Sequence, residues 1–412
     1  MELKDISRRS VLKGGSAALA GLTLLHVTGP ERAFGQSGAE VIPWLDQPGP
    51  NPVPGGVGNL LEWQQLSSWQ TPAQNFFFVN HYGPPASIDE STWRLDIGGL
   101  VAHPRSLTLA DLKARPRQEV DFTLECSGNH GFDFFIGGVG NATWAGAPLS
   151  ALLKEADLLE HASEVVFWGA DSGPLTIRDN PGVLSAGNTG SGTPDGSGGI
   201  DLTITEQFAR SMSVEEAMSS DNLLCYQING QPLPPEHGFP LRLIAPGWYG
   251  VANVKWLNRI EVIDRRFTGR FMARDYVSIR EGQRDGKAAW TFTNVGRARL
   301  KSAPAKVTRL GNRYSIMGAA WGAPIGGVEV QVDNGSWRAA TVDRSTPQQS
   351  RRFGWVFWTF DWATPGRGEY QIRSRAIDVE GNVQPPSDDP FLTSRRTYWE
   401  SNGQIARRVV IL

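Results

Sequence analysis

From about Leu300 onward, apolar and polar residues alternate, and this pattern constrains the fold more than any other feature of the chain. The runs KVTRL, RYSIMGAAW, VEVQVDNGSWRAATV, WVFWTFDW and EYQIRSRAID place apolar side chains at alternate positions. A period of two puts those side chains on one face of an extended backbone, which specifies half-buried strands. Asp333-Asn334-Gly335 falls between two of the runs as a hairpin signal. Strands with one apolar face bury it by facing a second sheet, so residues 299–412 are expected to form an immunoglobulin-like sandwich. This segment has no cysteine and no histidine, which assigns it to packing and association.

The preceding part reads differently. PLSALLKEADL has helical spacing, with Leu149, Leu152, Leu153 and Ala156 on one face. EVVFWGAD and PLRLIAP read as buried strands, and Gln36 to Gly58 as an extended, wrapping segment rich in proline and glycine. DNPGVLSAGNTGSGTPDGSGG, Asp179 to Gly199, is low in complexity and reads as a surface loop, a passive insertion more than a lid. A chain of 412 residues with 47 glycines, 27 prolines and 15 tryptophans fits two loop-rich domains of α+β class. The formal charge of −2 gives no electrostatic case for nucleic acid or an anionic membrane.

At the start, SRRSVLK carries Arg8-Arg9 ahead of the apolar, small-residue run Gly14 to Val27, and AFG follows at Ala33 to Gly35. That order is expected of a twin-arginine export signal over residues 1–35, hence of a periplasmic protein. The run is short for a spanning helix, so no stable membrane span is expected after cleavage.

Only two cysteines occur, Cys126 and Cys225. Cys126 ends an apolar run (Val120, Phe122, Leu124) and opens the turn Cys126-Ser127-Gly128-Asn129-His130-Gly131. Alone it admits three readings: a small core residue, a disulfide with Cys225, or a ligand held at a strand end. No CxxC or histidine cluster accompanies it, which disfavours zinc and iron–sulfur sites, and no CxxCH is present for covalent haem. His130, four residues on, is the one nearby base for a nucleophilic cysteine.

The motifs FFFVNHYGPP, ECSGNHG, FWGADSG, the long block YQINGQPLPPEHGFPLRLIAPGWYGVANVKWLNRIEV and RDY come in one order. In order and spacing they resemble the sulfite oxidase family of molybdopterin enzymes, and DVEGNVQP near the C-terminus resembles its dimerisation domain. The resemblance runs from about Asn59 to the end. It implies a molybdopterin-binding catalytic domain over 36–298, followed by the dimerisation sandwich. It also implies that Cys126 is the thiolate ligand of molybdenum, a soft donor suited to a redox metal. Asn80, His81, Asp171, His237, Arg242 and Lys255 match cofactor contacts, with the two cations suited to a phosphate. Asn253 and Val254 lie beside Lys255 and would add backbone contacts. Tyr276 matches the tyrosine beside the metal, with Arg274 next to it. Taken singly, each of these is as well read as a cap, a surface charge or a core residue; only their joint occurrence carries the cofactor. Cys225 reads as core.

The implied reaction is oxidation of sulfite or a related sulfur compound by oxo transfer, with electrons passing to an external acceptor such as a c-type cytochrome. The implied assembly is a homodimer. Arginines that hold the sulfite dianion in the family are missing here at Val79, at His130 and Gly131, and near Val356 by sequence matching. Arg274, a protonated His130, or Arg351 and Arg352 from the C-terminal domain are the candidates to replace them. Two rivals keep the same cofactor: oxidation of sulfane sulfur and reduction of S- or N-oxides. A third is a cofactor-free partner protein with a decayed site, against which the joint presence of Cys126, His237, Arg242, Lys255 and Tyr276 argues.

Overall fold

The computed structural model describes residues 38–47, 56–132, 135–180 and 200–412. The twin-arginine segment lies outside the described residues, as do 48–55 of the wrapping segment and 181–199 of the glycine-rich stretch.

The alternating C-terminal runs form two facing antiparallel sheets. One orders Glu40–Ile42, Lys301–Leu310, Arg313–Trp321, Val356–Trp362 and Thr341–Val342; the other orders Arg338–Ala339, Ile325–Val332, Gly368–Asp378 and Ile405–Ile411. Ile316, Val328, Trp358, Ile372 and Val409 fill the space between them. The expected hairpin forms at Asp333, which takes a left-handed φ of 51°. The run after it is not one strand, however. Arg338–Ala339 pairs with Ile325–Val332, and the chain then crosses so that Thr341–Val342 pairs with Val356–Trp362 in the opposite sheet. Strands that change sheets in this way make the corners of a sandwich.

Two further five-stranded sheets build the part of the chain before the sandwich. The first is antiparallel and contains Gln118–Glu125, Val139–Pro148, Leu223–Ile228 and the short Arg242–Ile244. In the second, Leu257–Ile263 runs parallel to Leu95–Gly99 and antiparallel to Glu164–Asn180. The helix Leu149–Ala156 packs into the core with Leu149, Leu152, Leu153 and Ala156 buried, as its spacing requires. The outcome is an α+β protein with short helices among many strands. Among the described residues no helix is long and apolar enough to cross a membrane.

Both ends of the chain cross the division placed at 299. Glu40–Ile42 pairs with Lys301–Leu310, and the Trp44 indole donates to the Ala305 carbonyl at 3.0 Å, so the wrapping segment belongs partly to the sandwich. In return, the Glu400 backbone N–H donates to Ser127 O at 2.7 Å, one residue past Cys126. Between the domains lies a buried ion pair, Lys301 Nζ to Glu125 Oε1 at 2.5 Å.

Candidate active site

Cys126 follows the last residue of Gln118–Glu125. Its N–H donates to Gly138 O at 2.8 Å and its carbonyl accepts from Asn129 N at 2.9 Å, which closes the turn. Asn129 is buried and works in both directions, donating to Glu125 Oε1 at 2.9 Å and accepting from Gly138 N at 3.0 Å. Glu125 also accepts from Lys301 and from the Trp321 indole, at 2.8 Å. The cysteine turn is therefore fixed from beneath by two residues of the sandwich.

The disulfide alternative fails, because Cys126 and Cys225 are both free thiols. Cys225 is fully buried in Leu223–Ile228, with its sulfur donating to Gln227 O at 3.1 Å, in keeping with a core role. Cys126 lines a cavity instead. Burial pushes its thiol up to about 11, so an unliganded thiol here is a poor nucleophile at neutral pH. A metal cation reverses that balance by stabilising the thiolate.

Around the same cavity stand Val79, Asn80, His81, Asp171, His237, Arg242, Asn253, Lys255 and Tyr276. The short pairing of Val57–Gly58 with Phe78–Val79 sets the first three. Gly56 adopts a φ of 94°, and a Cβ there would lie 2.6 Å from Asn80 O, so the close approach requires glycine. Tyr276 is buried in the left-handed region at φ 58°. Its hydroxyl lies 2.8 Å from His81 Nε2, and its ring stacks on Trp399 at 4.3 Å. Burial lowers His81 to about 4 and raises the Tyr276 phenol well above its ordinary value. At neutral pH this is therefore a pair of neutral groups sharing one hydrogen bond.

The cations of the cavity are pre-engaged. Arg242 donates to His237 O at 3.1 Å and Asn253 O at 3.0 Å, sits over the Trp144 ring, and keeps a buried Nε without a partner. Lys255 Nζ donates to Val79 O at 3.1 Å, to Glu236 O at 3.0 Å and to the Asn80 side chain. Burial, and then Arg242, lower Lys255 to about 7. His237 is held near 3 by burial and by the same two cations. Burial raises Asp171 to about 7, and its Oδ1 is sealed from solvent without a donor. Asn253 uses its side chain to shape the loop, accepting from Ala245 N at 2.8 Å and donating to Tyr249 O at 3.1 Å. Val254 packs into the domain core and does not line the cavity.

Several substrate-side expectations change. His130 is absent from the cavity wall, and both its ring nitrogens are buried without partners. Burial, together with Lys301 and Arg407, holds it far below its ordinary pKa, so it is neither a cation nor a base for Cys126. Arg274 is exposed at the C-cap of the short helix Arg270–Ala273, outside the cavity. Arg352 pairs with Asp221 at 2.9 Å, and Arg351 donates to Thr346 O at 2.8 Å. Val356 faces the sandwich core, so its identity says nothing about the cavity. At Gly131 a Cβ would sit 2.3 Å from Tyr398 O, leaving no room for any side chain.

Sequence reading missed four contributors. Trp399 supports Tyr276 from the C-terminal domain. Lys301 and Trp321 brace the turn. Arg210 is buried behind Tyr276 and donates to Val295 O at 2.5 Å and to Phe271 O. QFARSMS around Arg210 carries no motif, and only tertiary contact singles it out.

The residues present fit a metal–pterin group carrying a phosphate. Asp171 Oδ1 lacks a donor that ring N–H groups would supply, and Arg242 Nε lacks an acceptor. An anion restores the charge that burial takes from Lys255. Among the described residues no three His, Cys, Asp or Glu side chains converge as a metal cage, so a metal held at Cys126 would need its other ligands from the group that carries it.

Comparison with known proteins agrees. The oxidoreductase molybdopterin binding domain matches residues 81–183 and 193–271, and the Mo-co oxidoreductase dimerisation domain matches 293–399. Human mitochondrial sulfite oxidase is 31% identical over 350 residues, covering 79% of this chain and 59% of that protein, so the chain spans less than two thirds of the relative's length. Arabidopsis thaliana sulfite oxidase is 27% identical over 358 residues, with 78% and 83% covered. The solved sulfane dehydrogenase SoxCD of Paracoccus pantotrophus superposes with a TM-score of 0.69 at 25% identity, over 91% of this chain and 90% of that one. The chain belongs to the sulfite oxidase family of molybdopterin-dependent oxidoreductases.

Proposed function

We propose that this protein is exported to the periplasm by the twin-arginine route, works there as a homodimer, and oxidises sulfite or a related sulfur compound. A c-type cytochrome is the proposed electron acceptor. One observation carries the reading: the Cys126 thiol and the Tyr276 hydroxyl line the same cavity as Arg242, Lys255 and Asp171. When bound, the molybdenum cofactor supplies oxygen-atom transfer and takes up two electrons. The chain's own groups bind and orient. Arg242 and Lys255 would hold the anionic end, Asp171 would accept from ring N–H groups, and Cys126 would provide the thiolate. Tyr276 offers a hydroxyl whose direction is set by His81 and whose ring is fixed by Trp399.

Sulfane sulfur is the second reading, favoured by the substrate side of the cavity. Val79 lines it, Gly131 admits no side chain, and Arg274 stands outside. Among the described residues, the cations lining the cavity, Arg242 and Lys255, are already bonded to backbone carbonyls. The test is an optical titration of protein from molybdate-replete cells, following the thiolate-to-molybdenum absorption. Stoichiometric bleaching by sulfite supports the first reading, and bleaching by a sulfane donor alone supports the second. A Cys126→Ser protein is expected to fold without the band. Absence of both band and molybdenum from the wild type refutes the cofactor role of Cys126.

A further inference from the structure

Outside the catalytic cavity, arginines gather at the junction of the two domains. Arg280 on Val277–Arg284, together with Arg299 just before the sandwich, reaches the same oxygen of Glu400. Nη2 of Arg280 lies 3.8 Å and Nη2 of Arg299 3.6 Å from Glu400 Oε2. Both guanidinium groups also lie over the Phe391 ring, at 4.2 and 5.3 Å. Arg395 forms a backbone bridge with Arg280 and adds a third positive charge. Neither arginine distance to Glu400 is a hydrogen bond, and the carboxylate accepts its short bond from the Ser278 hydroxyl at 2.6 Å.

Three cations therefore face one carboxylate, leaving an excess of two positive charges. Arg280 is 9% exposed, and its Nε and Nη2 have no hydrogen-bond partner; Arg299 Nε and Arg395 Nη1 are also buried without one. Burying such donors unpaired is costly. A cavity opens at this point, lined by Arg280, Arg297, Arg299, Thr293, Phe391 and Glu400. It shares no lining residue with the Cys126 cavity.

We propose that this junction binds a small tetrahedral dianion, of the sulfate or phosphate class, between Arg280 and Arg299. Its charge offsets the excess, and its four oxygens accept from forked guanidinium donors. Because the Glu400 backbone also ties to Ser127, the occupied junction lies one hydrogen bond from the cysteine turn.

The test uses the full protein and inorganic sulfate, then inorganic phosphate, with sodium chloride at matched ionic strength as control. Isothermal titration and melting temperature are both read. Wild type should show saturable binding and a saturable rise in melting temperature beyond chloride. Arg299→Gln, at a partly exposed side chain, should weaken binding by about tenfold or more, since a hydrogen bond to a charged group is worth roughly 1.5–3 kcal/mol. Arg299→Lys should restore part of it. Sulfate and phosphate in parallel distinguish which anion the site prefers. Equal binding by wild type and Arg299→Gln overturns the proposal, because any anion bound in the Cys126 cavity persists in both. Absence of saturable binding in wild type overturns it as well.

Discussion

Replacing Lys301 by Met tests whether the sandwich braces the active-site turn. Lys301 and Glu125 are both fully buried, and Nζ lies 2.5 Å from Oε1. Removing the ammonium leaves Glu125 with two neutral donors, Asn129 Nδ2 at 2.9 Å and Trp321 Nε1 at 2.8 Å, and no cation. Breaking one partner out of a buried pair costs about 3–5 kcal/mol, chiefly from the stranded charge. The double replacement Lys301→Met with Glu125→Gln removes that charge while leaving an amide to meet Asn129 and Trp321. It should therefore recover at least about 2 kcal/mol of the loss. The assay is urea unfolding of the three proteins, with midpoints compared at constant slope. In cofactor-loaded protein the single variant should also shift the thiolate absorption, because the Glu125 carboxylate that holds Asn129 below Cys126 is no longer fixed by the Lys301 ammonium. A single variant within about 1 kcal/mol of wild type, or a double variant no more stable than the single, would refute the reasoning.

Other outcomes follow from the same geometry. Burial holds the folded pKa of His81, His130 and His237 below the ordinary 6.5, so the unfolded chain takes up protons first as pH falls. Stability of the cofactor-free protein should drop from about pH 6.5 toward 4. Asp171, raised to about 7 by burial, opposes this by binding a proton in the folded state, so Asp171→Asn should steepen the drop in urea midpoint. Tyr276→Phe removes the 2.8 Å bond to His81; the expected stability loss is about 0.5–1.5 kcal/mol, with a clear fall in turnover and little change in molybdenum content. Gly131→Arg places a Cβ 2.3 Å from Tyr398 O. It should cost about 1–3 kcal/mol in thermal unfolding and yield no gain in sulfite affinity.

How much of this protein was legible in its sequence depends on the range of the interactions involved. Period-two alternation marked the sandwich strands because a half-buried strand writes its burial into neighbouring residues. Helical spacing likewise marked Leu149–Ala156. The residues matched to cofactor contacts were legible through their joint motifs, and the fold gathers most of them around one cavity. The substrate side was not. His130 and Arg274 looked suitable by neighbourhood to Cys126 and Tyr276, yet His130 turns inward at φ 60° and Arg274 points to solvent. Val356, close to where matching puts one of the family's arginines, is sandwich core.

By itself, then, the sequence determined the strand content and, through its motifs, the residues that the fold gathers around one cavity, all encoded in local pattern or motif. Only the tertiary structure decided that the C-terminal domain completes the site. Lys301 meets Glu125 across 176 positions and Trp399 stacks on Tyr276 from a distant segment. Contacts of that range arise from how two apolar faces pack, and no local residue pattern carries that information.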